Sequence, residues 1–119
     1  MTDDAPRYDV VWTRSAETDL EELTWWWIEE SPLDALALLK RIRNRVARLD
    51  KSPGRGRRVP ELQGLGNHSI RELIVKPYRV VYEGQAGRVV VLMVFDGRRD
   101  LQAFLVDRLT RQGSGDDRT

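Results

Sequence analysis

Cysteine is absent from this 119-residue chain, so it has no disulfide framework, no thiolate metal site and no cysteine nucleophile. Histidine occurs once, at His68, the single side chain that titrates near neutrality without help. No apolar run approaches the ~20 residues that a membrane helix needs. The opening Met1-Thr2-Asp3-Asp4 is acidic and lacks the basic and apolar regions of a signal peptide. A cytoplasmic protein with no membrane partner is expected. No Gly-rich phosphate loop, metal-ligand spacing or Ser/His/Asp arrangement occurs either, so neither a cofactor nor a metal is expected.

Lysine is scarce as well. Of 20 basic residues only Lys40, Lys51 and Lys76 are lysine, and the other 17 are arginine. Arginine stays protonated and presents a flat fork of donors to phosphates and carboxylates. The 19 acidic residues bring the formal net charge to +1, which excludes a generally basic nucleic-acid coat. Anion binding must then come from local clustering. At 40% hydrophobic and 33% charged residues, the composition suits one domain spanning 1–119, with an ordered core of about 7–110.

Residues Met1 to Pro6 read as a loose leader, and Tyr8, Val10 and Trp12 alternate as a first strand. Thr13 and Ser15 offer N-caps to a helix whose Ala16, Leu20, Leu23 and Trp27 fall on one stripe. Ser31-Pro32 ends that helix and opens a second, running to Asp50. Its buried face is Ala35, Leu38, Leu39, Ile42, Val46 and Leu49, and its wet face is Lys40, Arg41, Asn44, Arg45 and Arg48. A loop rich in Gly, Pro and Arg follows, from Lys51 to Gly66. Strands are expected over 70–75, 78–83 and 89–95, with a turn at Gly84-Gln85-Ala86-Gly87. The run Val89 to Phe95 is apolar on both faces, as a central strand covered on both sides or shielded by a partner would be. Leu101 to Leu109 reads as a short closing helix and residues 112–119 as a flexible tail. The sum is an α+β fold: an N-terminal strand and a helical hairpin on a mostly antiparallel four-stranded sheet, with a short C-terminal helix.

Four arginines punctuate the sheet half: Arg71, Arg79, Arg98 and Arg99. Strand pairing is expected to gather them on a single surface, as a phosphate or carboxylate site. The alternative is that each is solvated or pairs with Glu72, Glu83, Asp96 or Asp100. His68 reads as an exposed turn residue, and a general-base pairing with Glu61 is not favoured. Arg55-Gly56-Arg57-Arg58 reads as a solvated basic loop or a nucleic-acid contact. In Trp25-Trp26-Trp27, successive residues lie 100° apart, so Trp27 joins the core stripe, Trp26 flanks it and Trp25 points nearly opposite. Trp25 either packs under a terminus or lies beneath a partner.

The order of elements, together with Arg71-Glu72-Leu73, Tyr78-Arg79-Val80-Val81-Tyr82 and Gly97-Arg98-Arg99-Asp100, resembles the RelE/ParE family of bacterial type II toxins over about Tyr8 to Leu109. In the ribosome-dependent mRNA endonucleases of that family, basic residues stabilise the transition state and a basic residue or tyrosine moves protons. The resemblance carries two catalytic arginines onto Arg79 and Arg99. It carries the two lysines onto Ile70 and Glu72, and the C-terminal tyrosine onto Leu105. Those departures match the plasmid-stabilising ParE branch, whose members are inhibitors of DNA gyrase and do no bond chemistry. The resemblance implies a toxin that is no enzyme, with Arg71, Arg79, Arg98 and Arg99 facing gyrase. It also implies a ParD-like antitoxin whose flexible C-terminal segment wraps the helical hairpin and sheet, over Trp25, Trp26, Arg41 and Arg45. Cleavage of mRNA on the ribosome, and a non-toxic interaction module, are the alternatives it leaves.

Overall fold

The computed structural model describes residues 7–65 and 69–98 and, of the segment that follows, 102–104, 106, 108 and 110. The side chains of 63–65 are not among those described. The expectations for the leader, His68, Arg99, Leu105 and the tail lie outside the described residues.

Strand β1 (Asp9–Trp12) leads directly into helix α1 (Arg14–Glu30). Between them Thr13 is fully buried, and its Oγ1 accepts the Ala16 N–H at 3.0 Å, satisfying one of the free donors at the start of the helix. Ser31 alone separates α1 from helix α2 (Pro32–Ala47), with Pro32 in the first turn, where its missing N–H costs nothing. The α-helix stops three residues short of the expected Asp50. Arg48–Asp50 tighten into a 3-10 turn that still buries Leu49.

The sheet has five strands, one more than expected. They are ordered β1-β5-β4-β3-β2, with β3 Ile70–Val75, β4 Tyr78–Gln85 and β5 Arg88–Asp96. The addition is β2, the two residues Arg57–Arg58, paired antiparallel to β3 inside the stretch expected to be loop. Two residues are too few to show an alternation. Strand β1 runs parallel to β5 at one edge, and every other pair is antiparallel. Between β4 and β5 the turn narrows to Ala86-Gly87, where Gly87 takes a φ of +72°, a left-handed conformation that favours glycine.

Both faces of the sheet are covered. On one, Leu20, Ile42 and Val46 of the helices pack with Leu73, Val80, Tyr82 and Val91. On the other, Val59 and Leu62 from the segment before β3, together with Phe104, pack on Ile70, Val81, Val90 and Phe95. This double cover is why the run in β5 shows no alternation. Its phase also slips: Val81 lies opposite Met93 but Tyr82 lies opposite Val91, leaving Leu92 as an extra residue. Fully burying a side chain of this size contributes about 1.5–3 kcal/mol, so both layers hold the sheet.

Candidate functional site: a guanidinium–carboxylate network on the sheet

Arg79 is the centre of the most developed polar site among the described residues. It lies in β4 on the face away from the helices, with its side chain only 8% exposed. Its guanidinium donates Nε to Glu72 Oε1 at 2.6 Å, Nη1 to Glu61 Oε2 at 2.9 Å and Nη2 to Glu61 Oε1 at 2.8 Å. The ring of Phe95 lies 5.3 Å beneath it, in cation–π range. Glu72 is fully buried, and its second oxygen takes Arg57 Nε at 2.7 Å. Two guanidiniums thus meet two carboxylates. Hydrogen bonding to Arg79 holds the Glu61 carboxyl below its usual range, and the same bonds push Arg79 further up, so both stay charged at neutral pH.

A second set of contacts holds the preceding segment from the helix-side face. Tyr82 Oη accepts the Gly56 N–H at 2.9 Å and donates to the Pro53 carbonyl at 2.7 Å, while Arg71 Nη1 donates to the Gly56 carbonyl at 2.9 Å. Burial pushes the Tyr82 phenol up, so it remains a protonated donor. The backbone of Gly56 comes so close that a Cβ there would lie 2.5 Å from the Glu72 carbonyl oxygen. Residues 53–62 are therefore a strap, clamped to the sheet from both faces.

Of the four arginines expected to share one surface, the three described, Arg71, Arg79 and Arg98, are not gathered. Val75 pairs with Tyr78 around the Lys76-Pro77 turn, so Arg71 lies opposite Tyr82 and Arg79 opposite Ile74. Cross-strand partners share a face and neighbours along a strand do not. Arg71 is thereby on the helix face with Tyr82, and Arg79 on the other with Glu72. That register was available from the two-residue turn alone. Arg98 is elsewhere again: 75% exposed beyond β5, it closes on Asp96 with its backbone N–H, Nε and Nη2 at 2.7–2.9 Å. Of the expected carboxylate partners, Glu72 pairs with Arg79 and Asp96 with Arg98. The loop Arg55-Gly56-Arg57-Arg58 divides its roles: Arg57 binds Glu72, while Arg55 and Arg58 are exposed.

On the hairpin, Trp25 and Trp26 are 67% and 57% exposed. Trp27 turns inward and donates Nε1 to Tyr78 Oη at 2.6 Å. Arg41 is exposed and donates to the Lys76 carbonyl at 3.2 Å, and Arg45 is half-buried. Between α1 and the ends of β4 and β5 lies a groove of about 700 Å³, whose lining includes Trp26, Trp27, Tyr78, Phe95 and Arg98. Two features here carried no sequence signal. Glu61 reaches Arg79 from the 3-10 helix Pro60–Leu65, within the stretch expected to be loop, and Arg108 crosses from the C-terminal segment to bind Asp19 Oδ1 at 2.9 Å. Burial pushes the Asp19 carboxyl up, against Arg108 and the Val94 N–H, which both favour its charged form. Among the described residues no group of three metal-ligating side chains occurs, and no helix is long and apolar enough to cross a membrane.

Solved structures share this architecture, among them the two that follow. One, from the chromosomal ParDE toxin–antitoxin system of P. aeruginosa, superposes with a TM-score of 0.64 at 20% identity, covering 76% of this chain and 96% of that one. The other, from the toxin–antitoxin complex RelBE2 of Mycobacterium tuberculosis, gives 0.52 at 21% identity, covering 80% and 97%. No curated protein matches the sequence. The profile described as the ParE toxin of the type II toxin–antitoxin system parDE matches residues 10–101. That span takes in the hairpin, the strap and all of the sheet but Asp9, and the chain belongs to the ParE toxin family of type II toxin–antitoxin systems.

Proposed function

We propose that this protein is a toxin that acts by binding rather than by breaking bonds, with DNA gyrase as its target and a ParD-like antitoxin as its silencer in the cytoplasm. The observation that carries the reading is the state of Arg79. Phosphodiester cleavage needs fixed cations directed at the charge that develops in the transition state. Arg79, the cation that aligns with an endonuclease arginine, instead directs its fork at Glu61 and its Nε at Glu72. Glu72, which the resemblance aligns with an endonuclease lysine, is fully buried and supplies no cation.

Arg98, solvent-facing beyond the end of β5, is the best placed for a target among the described members of the arginine set. An antitoxin segment that folds as it binds suits the hairpin, where Trp25, Trp26 and Leu33 leave apolar surface uncovered. Both solved relatives come from toxin–antitoxin systems, which supports a partner of this kind. Supercoiling by purified gyrase and message integrity on translating ribosomes test the reading side by side. Lost supercoiling with intact message is expected. Cut message with unaffected gyrase would replace this reading with the nuclease, and normal growth on expression without antitoxin would replace both with a non-toxic module.

A further inference from the structure

Three times this chain sets an arginine between a carboxylate and an aromatic ring. Arg43 pairs with Glu17 at 2.8 Å and lies 4.6 Å from the centre of the Trp12 ring. Arg79 is held by Glu61 and Glu72 over Phe95 at 5.3 Å. Arg108 pairs with Asp19 at 2.9 Å and lies 5.5 Å from the centre of Phe104. The arrangement suits a guanidinium, whose edge donates to the acid while its flat face rests on the negative face of the ring.

A fourth acid and ring stand together without an arginine. Glu22 and Trp26 lie one turn apart on α1, so their side chains are neighbours, and both line the groove between α1 and the ends of β4 and β5. Both are exposed, and among the described residues Glu22 makes no hydrogen bond or ion pair. The other charges of the groove are matched: Asp19 holds Arg108, and Asp96 holds Arg98. What is left over is the charge of Glu22. It adds to the burial that pushes the Asp19 carboxyl up, a repulsion that a cation at Glu22 would offset. Leu23, Trp27, Tyr78 and Phe95 make the remaining walls apolar, and the volume of about 700 Å³ admits several side chains.

We propose that this groove receives an apolar segment of the antitoxin, and that one arginine of that segment fills the place between Glu22 and Trp26. A lysine would reach the carboxylate but has no flat face to lay on the indole. The inference rests on the antitoxin reading and names the chemistry by which the groove selects its segment. It does not depend on gyrase being the target.

Calorimetric titration of the full-length antitoxin into the toxin tests it. Glu22→Gln should weaken binding about tenfold, and Glu22→Arg at least as much. Neither should lower the thermal midpoint of the free toxin, since Glu22 bonds to no described residue. Glu21→Gln removes the same charge one residue away, outside the groove lining, and should cost about twofold or less. Replacing the antitoxin's arginines with glutamine one at a time should find one whose loss matters in wild type and not in Glu22→Gln. Equal losses for Glu21→Gln and Glu22→Gln would mean a diffuse attraction to α1 and overturn the seat, as would an antitoxin with no arginine coupled to Glu22. Wild-type affinity in Glu22→Gln would overturn the seat and leave the antitoxin reading intact. No binding by wild type would overturn that reading, and this inference with it.

Discussion

Arg79 and Arg98 differ in what their removal leaves behind. Arg79→Ala strands Glu61 and the fully buried Glu72, and breaking a buried pair from one side costs about 3–5 kcal/mol. Arg98→Ala removes a solvent-exposed partner of Asp96 and should move the urea midpoint far less. Comparable midpoints for the two variants would remove Arg79 from the framework. Glu61 gives this network a pH dependence. Its carboxyl is held below the usual range in the folded chain, so its contribution is complete above the unfolded glutamate value of ~4.3 and is lost as pH falls through the folded value. Asp19, pushed up by burial, works in the opposite sense: what its protonated form contributes is full below the unfolded value and lost as pH rises through the folded one. The stability gap between wild type and Glu61→Gln should therefore be widest at neutral pH and close below about pH 4. A gap that persists in acid would mean that the charge of Glu61 is not what holds the strap.

The elements differ in how plainly the sequence announces them, and the reason is periodicity. The stripe Ala16, Leu20, Leu23, Trp27 and the face Ala35, Leu38, Ile42, Val46 repeat often enough to define two helices and their inward sides. In β5 the double cover erases the alternation, and the extra residue Leu92 shifts its phase, so which side chains face the helices is unreadable from the string. The strap is the extreme case. It has no period at all, yet Gly56, Arg57 and Glu61 decide how the sheet's outer face is covered. Only the parity of Arg71 and Arg79 about the Lys76-Pro77 turn was legible in advance, and it contradicts a shared surface. Gly56 is the strap's most demanding position, since a Cβ would lie 2.7 Å from Tyr82 Oη as well as 2.5 Å from backbone. Gly56→Ala should cost about 1–3 kcal/mol, the usual range for overpacking. Urea denaturation checks it, and a midpoint equal to wild type would mean that the strap lifts freely.

At the scale of the whole molecule, the two layers on the sheet leave the hairpin's outer side uncovered among the described residues. Trp25, Trp26, Ile28, Leu33 and Leu36 are its exposed large apolar residues, 38–81% accessible, and they cluster in sequence around the Ser31 turn. Counting in 100° steps, Trp25 lies opposite the stripe of Ala16, Leu20 and Trp27, so nothing in the core depends on it. A tryptophan as exposed as Trp25 is a candidate anchor for another chain, and such anchors dominate binding energy when a partner segment buries them. Trp25→Ala should leave the urea midpoint where it is and weaken antitoxin binding by about 2 kcal/mol, roughly thirtyfold in Kd. Trp26, on the wall of the groove beside Tyr78, should lose less, because part of its ring already rests on Trp27 at 5.3 Å between centroids. Titration calorimetry with the antitoxin's C-terminal segment separates the two. Unchanged affinity in both variants would take the hairpin out of the interface and move the antitoxin to the sheet edge. A lowered midpoint for Trp25→Ala would instead show that the ring packs within its own chain.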